Sequence, residues 1–346
     1  MKLKLVGVLC VAALVAAACG GDGDGGGGGE GDLGVERVEL AIDTDDYMNN
    51  LAWVVAEEKY WPKLGFQEDA KVVATDEYMA GLFGGDVWVA QGESDTVWAA
   101  LAEGSVPMKI VGVEKDTEAW FIGIRKGVDK NNLEGLKISG GEIGDRNITV
   151  GEKSLEEMGV DPDSMEWVPI EGSSDDRLTA LIAGQIDVAV LQPRHLIPLD
   201  EAGGEMIFQK FVDAPQEVWV VTEEFLNENE DAVCAYLQGR IQAKRWIGAG
   251  EDLKKNQDAA VEIGRESDEK LEPAEGDLAE WENEVEGNWS LDGGAPAAAF
   301  DQWTEDMIAE DVVPEGFEWR DYADFDCVWR IQEELGLEQN PPESEV

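Results

Sequence analysis

Histidine, cysteine and positive charge are all scarce in this 346-residue chain. The one histidine is His195, and the four cysteines, Cys10, Cys19, Cys234 and Cys327, form no CxxC pair. A lone histidine with two distant cysteines cannot complete a four-ligand zinc centre, so no metal and no cofactor is expected. Lysine and arginine number 26 against 76 acids, for a formal charge of -50. That excess runs along the whole chain and disfavours nucleic acid and anionic membrane surfaces as partners. No apolar run after residue 18 is long enough to span a bilayer. There is no GxSxG elbow, no HExxH and no glycine-rich loop closed by Lys-Ser/Thr, which leaves nucleophile-elbow hydrolases, zincins and P-loop enzymes without their machinery. A hydrolase using two carboxylates stays open, because almost any two of the many acids could be matched.

The first residues set the address. Lys2 and Lys4 precede an uncharged apolar stretch, Leu5 to Ala18, which meets Cys19 through Ala16-Ala17-Ala18. Small residues ending on a cysteine resemble a bacterial lipobox. The resemblance implies cleavage before Cys19, lipidation of its sulfur, and a mature chain anchored at the extracytoplasmic face of the cell membrane. An ordinary secretory signal with an incidental cysteine is the competing reading. Residues 19–36 are mostly glycine, aspartate and glutamate; they cannot bury apolar surface and read as a flexible tether. Loss of Lys2 and Lys4 with residues 1–18 takes the charge from -50 to -52. Such acidity suits a saline exterior, where salt screens self-repulsion, or serves to concentrate a cationic ligand. In an exported chain the two remaining cysteines, Cys234 and Cys327, form one disulfide or stay as buried thiols.

With 43% hydrophobic residues the chain can build a sizeable core. Val38–Ile42, AKVVAT, GDVWVAQ and PMKIVGV read as strands. Between them, LAWVVAEEKYWPKLG and SDTVWAALAEG read as helices stopped by Gly65 and Gly104. A second unit starts near Trp120: WFIGIRK, LEGLKIS, MEWVPIE and IDVAVLQ as strands, NITVGEKSLEEMG and SSDDRLTALIAGQ as helices, the last capped by Ser173 or Ser174. QEVWVVTEEFL returns as a strand before a long helix, ENEDAVCAYLQGRIQAKRWIGAG. Alternation of strand and helix predicts an α/β fold on a parallel sheet.

NNLAWVVAEEKYWPKLGF, GGDVWVAQGESDTVWAALAEGSVPMKIVGV, LEGLKIS, DDRLTALIAGQIDVAVLQP and GFEWRDYADFDCVWRIQEELGL follow one another in the order and spacing of periplasmic-binding-protein-like receptors. Together they resemble the SsuA/THI5-like group of ABC-transporter substrate-binding lipoproteins over most of residues 37–337. The resemblance implies a two-lobed type 2 fold with two crossovers and a cleft between the lobes. Lobe I would hold residues 37–115 and 215–337, lobe II residues 116–214, and residues 338–346 a disordered tail. It implies no catalysis, a monomer, and two partners: a small polar, nitrogen-containing organic solute of the thiamine-precursor, taurine or sulfonate type, and the subunits of an ABC permease. A receptor feeding a sensor is the alternative, and an exported hydrolase a more distant one.

Ligands of such sheets sit at strand carboxyl ends, where helices begin. Four loops qualify. The first carries Asp45 and Asn49, the second Gln91 and Ser94, the third Ser139, Gly140 and Arg146, the fourth Gln192 and His195. Each has a structural reading beside the functional one: Asn49 and Ser94 as helix caps, Arg146 as the partner of nearby acids instead of a bidentate clamp on ligand, His195 as a satisfied core group. Trp88 and Trp120 lie where either could stack on a flat or cationic ligand or simply pack. The acids of the first loop and the nearby tryptophans turn the expectation toward a heteroaromatic or cationic group and away from a bare oxyanion, and Glu142, Asp145 and Arg146 in the third loop weaken an inherited anion specificity.

Overall fold

The computed structural model describes residues 40–41, 47–65, 78–85, 87–142 and 145–346. Cys19, the expected signal and tether, Asp45, and the expected strand AKVVAT lie outside the described residues. In chain order the elements are β1 (Leu40–Ala41), α1 (Tyr47–Lys59), α2 (Tyr78–Gly84), β2 (Val89–Glu93), α3 (Ser94–Glu103), β3 (Met108–Ile124), β4 (Lys137–Ser139), α4 (Arg146–Glu157), β5 (Glu166–Trp167), α5 (Ser174–Ile182), β6 (Val188–Leu191), α6 (Leu196–Glu201), β7 (Glu205–Thr222), α7 (Glu223–Ile247), α8 (Gln257–Glu266), α9 (Glu275–Ala279), α10 (Trp281–Asn288), α11 (Ala297–Ala309) and α12 (Asp326–Leu335).

The strands form one sheet in the order β1-β2-β7-β3-β6-β4-β5. It is mixed, not parallel: β7 runs antiparallel to both β2 and β3, and β3 is antiparallel to β6, while β1–β2, β4–β5 and β4–β6 are parallel. PMKIVGV and WFIGIRK, expected as two strands, are two ends of the single 17-residue β3. The charged segment between them, Glu114 to Glu118, stays in the ladder with β7, with register shifts on either side of Lys115. Bulges of this kind re-aim side chains, and here they leave the consecutive Glu114 and Lys115 both buried.

These two long strands carry the chain from one core to another. Met108, Ile110, Val111 and Val113 of β3, with Val218 to Val221 of β7, belong to a large core shared with α1, α3, α7, α10, α11 and α12. Further along, Trp120, Ile122 and Ile124 of β3 join Val150 and Leu155 of α4 and Val188 and Val190 of β6 in a second core. A third small cluster lies under α5 and α6. The first core defines one lobe, the other two clusters the second.

Local signals explain several element ends. Gly104 adopts a left-handed φ of 63° and closes α3, whereas Gly65, at φ 72°, closes not α1, which ends at Lys59, but the short 3-10 turn Trp61–Leu64 that Pro62 opens after it. Ser173 caps α5 by accepting from Asp175 N–H, while Asp176 accepts from the Ser173 N–H, a reciprocal capping box. Cys234 on α7 and Cys327 on α12 are bonded, with their Cα atoms 5.0 Å apart. Residues 338–346 are docked, not frayed. Asn340 exchanges hydrogen bonds with Gln332 and reaches Asp292, the Trp329 indole N–H donates to Pro341 O, and Val346 packs on the first core. Among the described residues no helix is long and apolar enough to cross a membrane.

Candidate functional site

A buried polar cluster sits where β2, β3, β7, α1 and α7 meet in the first lobe. Arg240 Nη2 donates to Glu114 Oε1 at 2.8 Å, and Lys244 Nζ donates to Glu114 O at 3.0 Å with Glu114 Oε2 at 3.4 Å. Lys115 pairs with Glu217, whose other oxygen accepts from the Gln91 and Asn49 amides. The carbonyl ends of both amides accept from Arg240 Nη2 at 3.4 Å. Asn49, Glu114, Arg240 and Lys244 have no exposed surface at all. Burial lowers the pKa of Lys244 to about 8, against the pull of Glu114. Burial also opposes the charge of Arg240, but Glu114 beside it more than offsets this and holds its pKa above the ordinary value. At the edge of the cluster Asp116 is pushed up to about 8, by burial first and then by Asp292.

A second cluster bridges the lobes. Arg146 opens α4, whose N-cap Asp145 accepts from Asn147 N–H. Its guanidinium grips Glu118 of β3 through Nε at 3.0 Å and Nη2 at 3.2 Å. It also reaches across to Asp306 and Glu310, each at 3.2 Å, and lies 4.5 Å over the Trp303 ring. Lys153 Nζ donates to Asp306 at 2.6 Å and Thr149 Oγ1 to Glu310 at 2.9 Å. Burial works against the Arg146 charge, but Glu118, Asp306 and Glu310 overcome it and raise its pKa. Because α4 belongs to the second core and α11 to the first, these contacts tie one lobe to the other. A second tie lies at the fourth loop, where Arg194 N–H donates to Glu284 of α10 at 3.2 Å.

In the second lobe, loops at the ends of β4 and β6 flank this seam. Gly140 packs directly on the first turn of α4, where a Cβ would lie 2.6 Å from Asn147 O; Gly141 adopts φ +119° against Asp145. Only glycine allows so close an approach. Ser139 is buried and its hydroxyl accepts from Gly141 N–H at 3.3 Å. Gln192 N–H donates to His195 Nδ1, so the ring proton sits on Nε2, which donates to Asp175 at 2.8 Å. Burial lowers the His195 pKa and keeps the ring neutral. Arg177 of α5 is only 3% exposed, and its Nε donates to Val190 O at 3.0 Å.

The structure therefore sorts the residues singled out in the sequence. Asn49 and Gln91 meet through Glu217; Trp120, whose indole N–H donates to Glu118 at 2.8 Å, meets Arg146 through that carboxylate. Ser94 is sealed, its hydroxyl donating to Pro215 O. Arg146 is occupied by acids and not held out to a ligand. Trp88 is not brought to the site: it precedes β2, at the far end from Ser94, and packs on Phe225 with ring centroids 4.6 Å apart. Sequence reasoning passed over Glu118, Trp303, Asp306, Glu310, Arg177, and the Glu114–Arg240–Lys244 cluster. The available signal was Glu114-Lys115-Asp116 interrupting an apolar strand, and Arg240 and Lys244 four residues apart among the apolar residues of α7.

No protein-family model matches this sequence, and no curated protein does. Solved structures do match. The periplasmic sulfonate-binding protein SsuA of Methylobacillus flagellatus, from a sulfonate ABC transporter, superposes with a TM-score of 0.64 at 14% identity, over 89% of this chain and 98% of that one. A Candida albicans protein described as having the generic periplasmic binding protein fold gives 0.55 at 12% identity, over 89% and 97%. The desulfurization enzyme DszB gives 0.60 at 11% identity, over 87% and 100%. With a mixed α/β sheet, two cores joined by two long strands and this set of neighbours, the chain has the two-lobed periplasmic-binding-protein fold.

Proposed function

We propose that the chain is an extracytoplasmic solute-binding protein that captures a small polar organic molecule between its lobes and hands it to an ABC permease. One observation carries this reading: two separate cores share the long strands β3 and β7, and charged and polar side chains bridge the seam between them. Such a seam opens and closes at modest cost, since its groups are satisfied by water when apart. The core changes between Val113 and Trp120 on β3 and between Val212 and Ala214 on β7. We place the hinge there, dividing lobe I (37–115 and 215–337) from lobe II (116–214). Ser139, Gly140 and Gln192 line the cleft from the second lobe, and Asn49 and Gln91 support its floor. Cys19 anchors the mature monomer to the membrane; Cys19→Ala then abolishes palmitate labelling and membrane fractionation.

Protein purified without refolding should carry one small molecule detectable by native mass spectrometry. Adding that molecule back to stripped protein should reduce the radius of gyration. No retained mass and no compaction with any candidate solute sinks the reading. The likeness to DszB supports one alternative, an enzyme on the same scaffold. Chemical conversion of the retained molecule by purified protein is the result that would favour it.

A further inference from the structure

Four lysines and arginines are buried among the described residues: Lys115, Arg177, Arg240 and Lys244. Three of them pair with a carboxylate, Lys115 with Glu217 and the other two with Glu114. Among the described residues Arg177 has only the Val190 carbonyl, held by Nε, and neither of its Nη groups makes a hydrogen bond. Scarcity of acids does not explain this in a chain with 76 of them. The carboxylates near enough to act on Arg177 are Asp145, Asp175 and Asp176. Each is committed elsewhere. Asp145 accepts from the Asn147 N–H and side-chain amide, Asp175 accepts from His195 Nε2–H, and Asp176 closes the capping box with Ser173. A further guanidinium, Arg194, adds repulsion instead of relief, and burial together with it lowers the Arg177 pKa. A buried charge without a counter-ion is among the costliest arrangements a protein can hold.

The location matters as much as the deficit. Val190 lies near the carboxyl end of β6; Asp145 stands in the loop after β4 and Arg194 in the loop after β6. Arg177 thus lies between the third and fourth loops, on the edge of the second lobe that faces the seam.

We propose that Arg177 is the specificity residue of the cleft, and that its two unpartnered Nη groups take the carboxylate, sulfonate or other oxyanion of an acidic organic solute. The Nε bond to Val190 fixes the guanidinium plane and leaves the Nη pair for a two-oxygen acceptor. This rests on the solute-binding reading and narrows it to acidic ligands, reversing the expectation drawn from the acids of the third loop: Asp145 and Arg146 are both consumed by local partners.

The test uses the full mature chain, stripped of bound solute, and its Arg177→Met and Arg177→Lys variants. Melting temperature is followed against acetate, methanesulfonate and inorganic phosphate at an ionic strength matched with chloride. In the unmodified protein, at least one of the three should raise it in the millimolar range beyond the chloride control. The arm that responds identifies the acid group. Arg177→Met should weaken that response at least tenfold while leaving the ligand-free melting temperature equal or higher, which a purely structural arginine would not do. Arg177→Lys retains charge but not the paired donors, and should also weaken it tenfold; it decides the matter if the methionine variant fails to fold. Equal responses in all three proteins, or no anion-specific response in any, overturn the proposal. The solute-binding reading stands apart from this: if stripped protein compacts on its retained molecule and Arg177→Lys compacts at the same concentration, only the role of Arg177 falls.

Discussion

The two lobes treat buried charge in opposite ways. In the first, Arg240 and Lys244 converge on Glu114 while Lys115 is matched by Glu217, and the amides of Asn49 and Gln91 link Glu217 to Arg240. In the second, Arg177 is also buried and, among the described residues, bonds a single backbone carbonyl. A paired network fixes geometry, because moving any member strands the others. An unpaired arginine fixes nothing by itself and gains most when an outside group arrives. The first arrangement suits a hinge floor that must hold β3, β7 and α7 in register; the second suits a surface that waits for a ligand.

Removing one acid sharpens the contrast most. Glu114→Ala leaves Arg240 and Lys244 buried without their counter-ion and should cost about 3–5 kcal/mol in urea unfolding. Arg177→Met should be neutral or stabilising, since losing the Val190 bond, about 1 kcal/mol, is offset by removing an uncompensated charge. Comparable losses for the two variants would mean that Arg177 has a counter-charge and the lobes do not differ. Next in size is the disulfide. Cys234 and Cys327 span 93 residues and tie α7, which carries Arg240 and Lys244, to α12. Reduction should lower stability by about 2–4 kcal/mol. Hydrogen exchange should show the added opening in the first lobe alone; equal loss of protection in α4 and α5 would argue against independent lobes.

The seam comes third. Arg146→Ala removes a guanidinium shared by Glu118, Asp306 and Glu310 and leaves three carboxylates facing one another with Lys153 as their remaining cation. Charge-assisted hydrogen bonds are worth about 1.5–3 kcal/mol, and here most of that should appear as lobe opening and not as unfolding. Small-angle scattering should give a larger radius of gyration at low salt, with the urea midpoint little changed. An unchanged radius would mean that apolar packing holds the lobes and Arg146 is incidental.

Much of the scaffold was legible because its signals are local. Gly104 and the Ser173 cap are short-range devices, and the end of α3 and the start of α5 follow from them. The sheet's direction was not, because alternation of strand and helix says nothing about a chain that stays extended for 17 residues. The charged run Lys115 to Glu118, which the resemblance makes a strand-borne crossover, does lie in the strand that passes from one core to the other. Glu114 just before it finds its partners on α7, over a hundred residues later, and Glu118 finds its own on α4. Trp88 and Trp120 looked alike in sequence, but one packs on Phe225 and the other donates to Glu118. Arg177 sits in a helix of ordinary composition; what distinguishes it is the partner it lacks, and no sequence pattern records that.

A pH dependence should also appear on the first-lobe side of the comparison. Asp116 rises from 3.8 to about 8 on folding and Lys244 falls from 10.5 to about 8. Between pH 4 and 8 the folded Asp116 keeps a proton that the unfolded chain has released, so its contribution to stability is full below pH 4 and is lost as pH rises through 8. For Lys244 the sign is reversed. Between pH 8 and 10.5 the unfolded chain holds a proton that the folded lysine has given up, so its contribution is full above 10.5 and is lost as pH falls through 8. Together they place a minimum of stability near pH 8. Asp116→Asn should abolish the decline between pH 4 and 8 and leave the rise above 8. Urea midpoints at half-unit intervals across that range decide it: a wild-type curve parallel to that of Asp116→Asn would show that Asp116 is ionised in the folded hinge, and that the first lobe balances its charges without borrowing a proton.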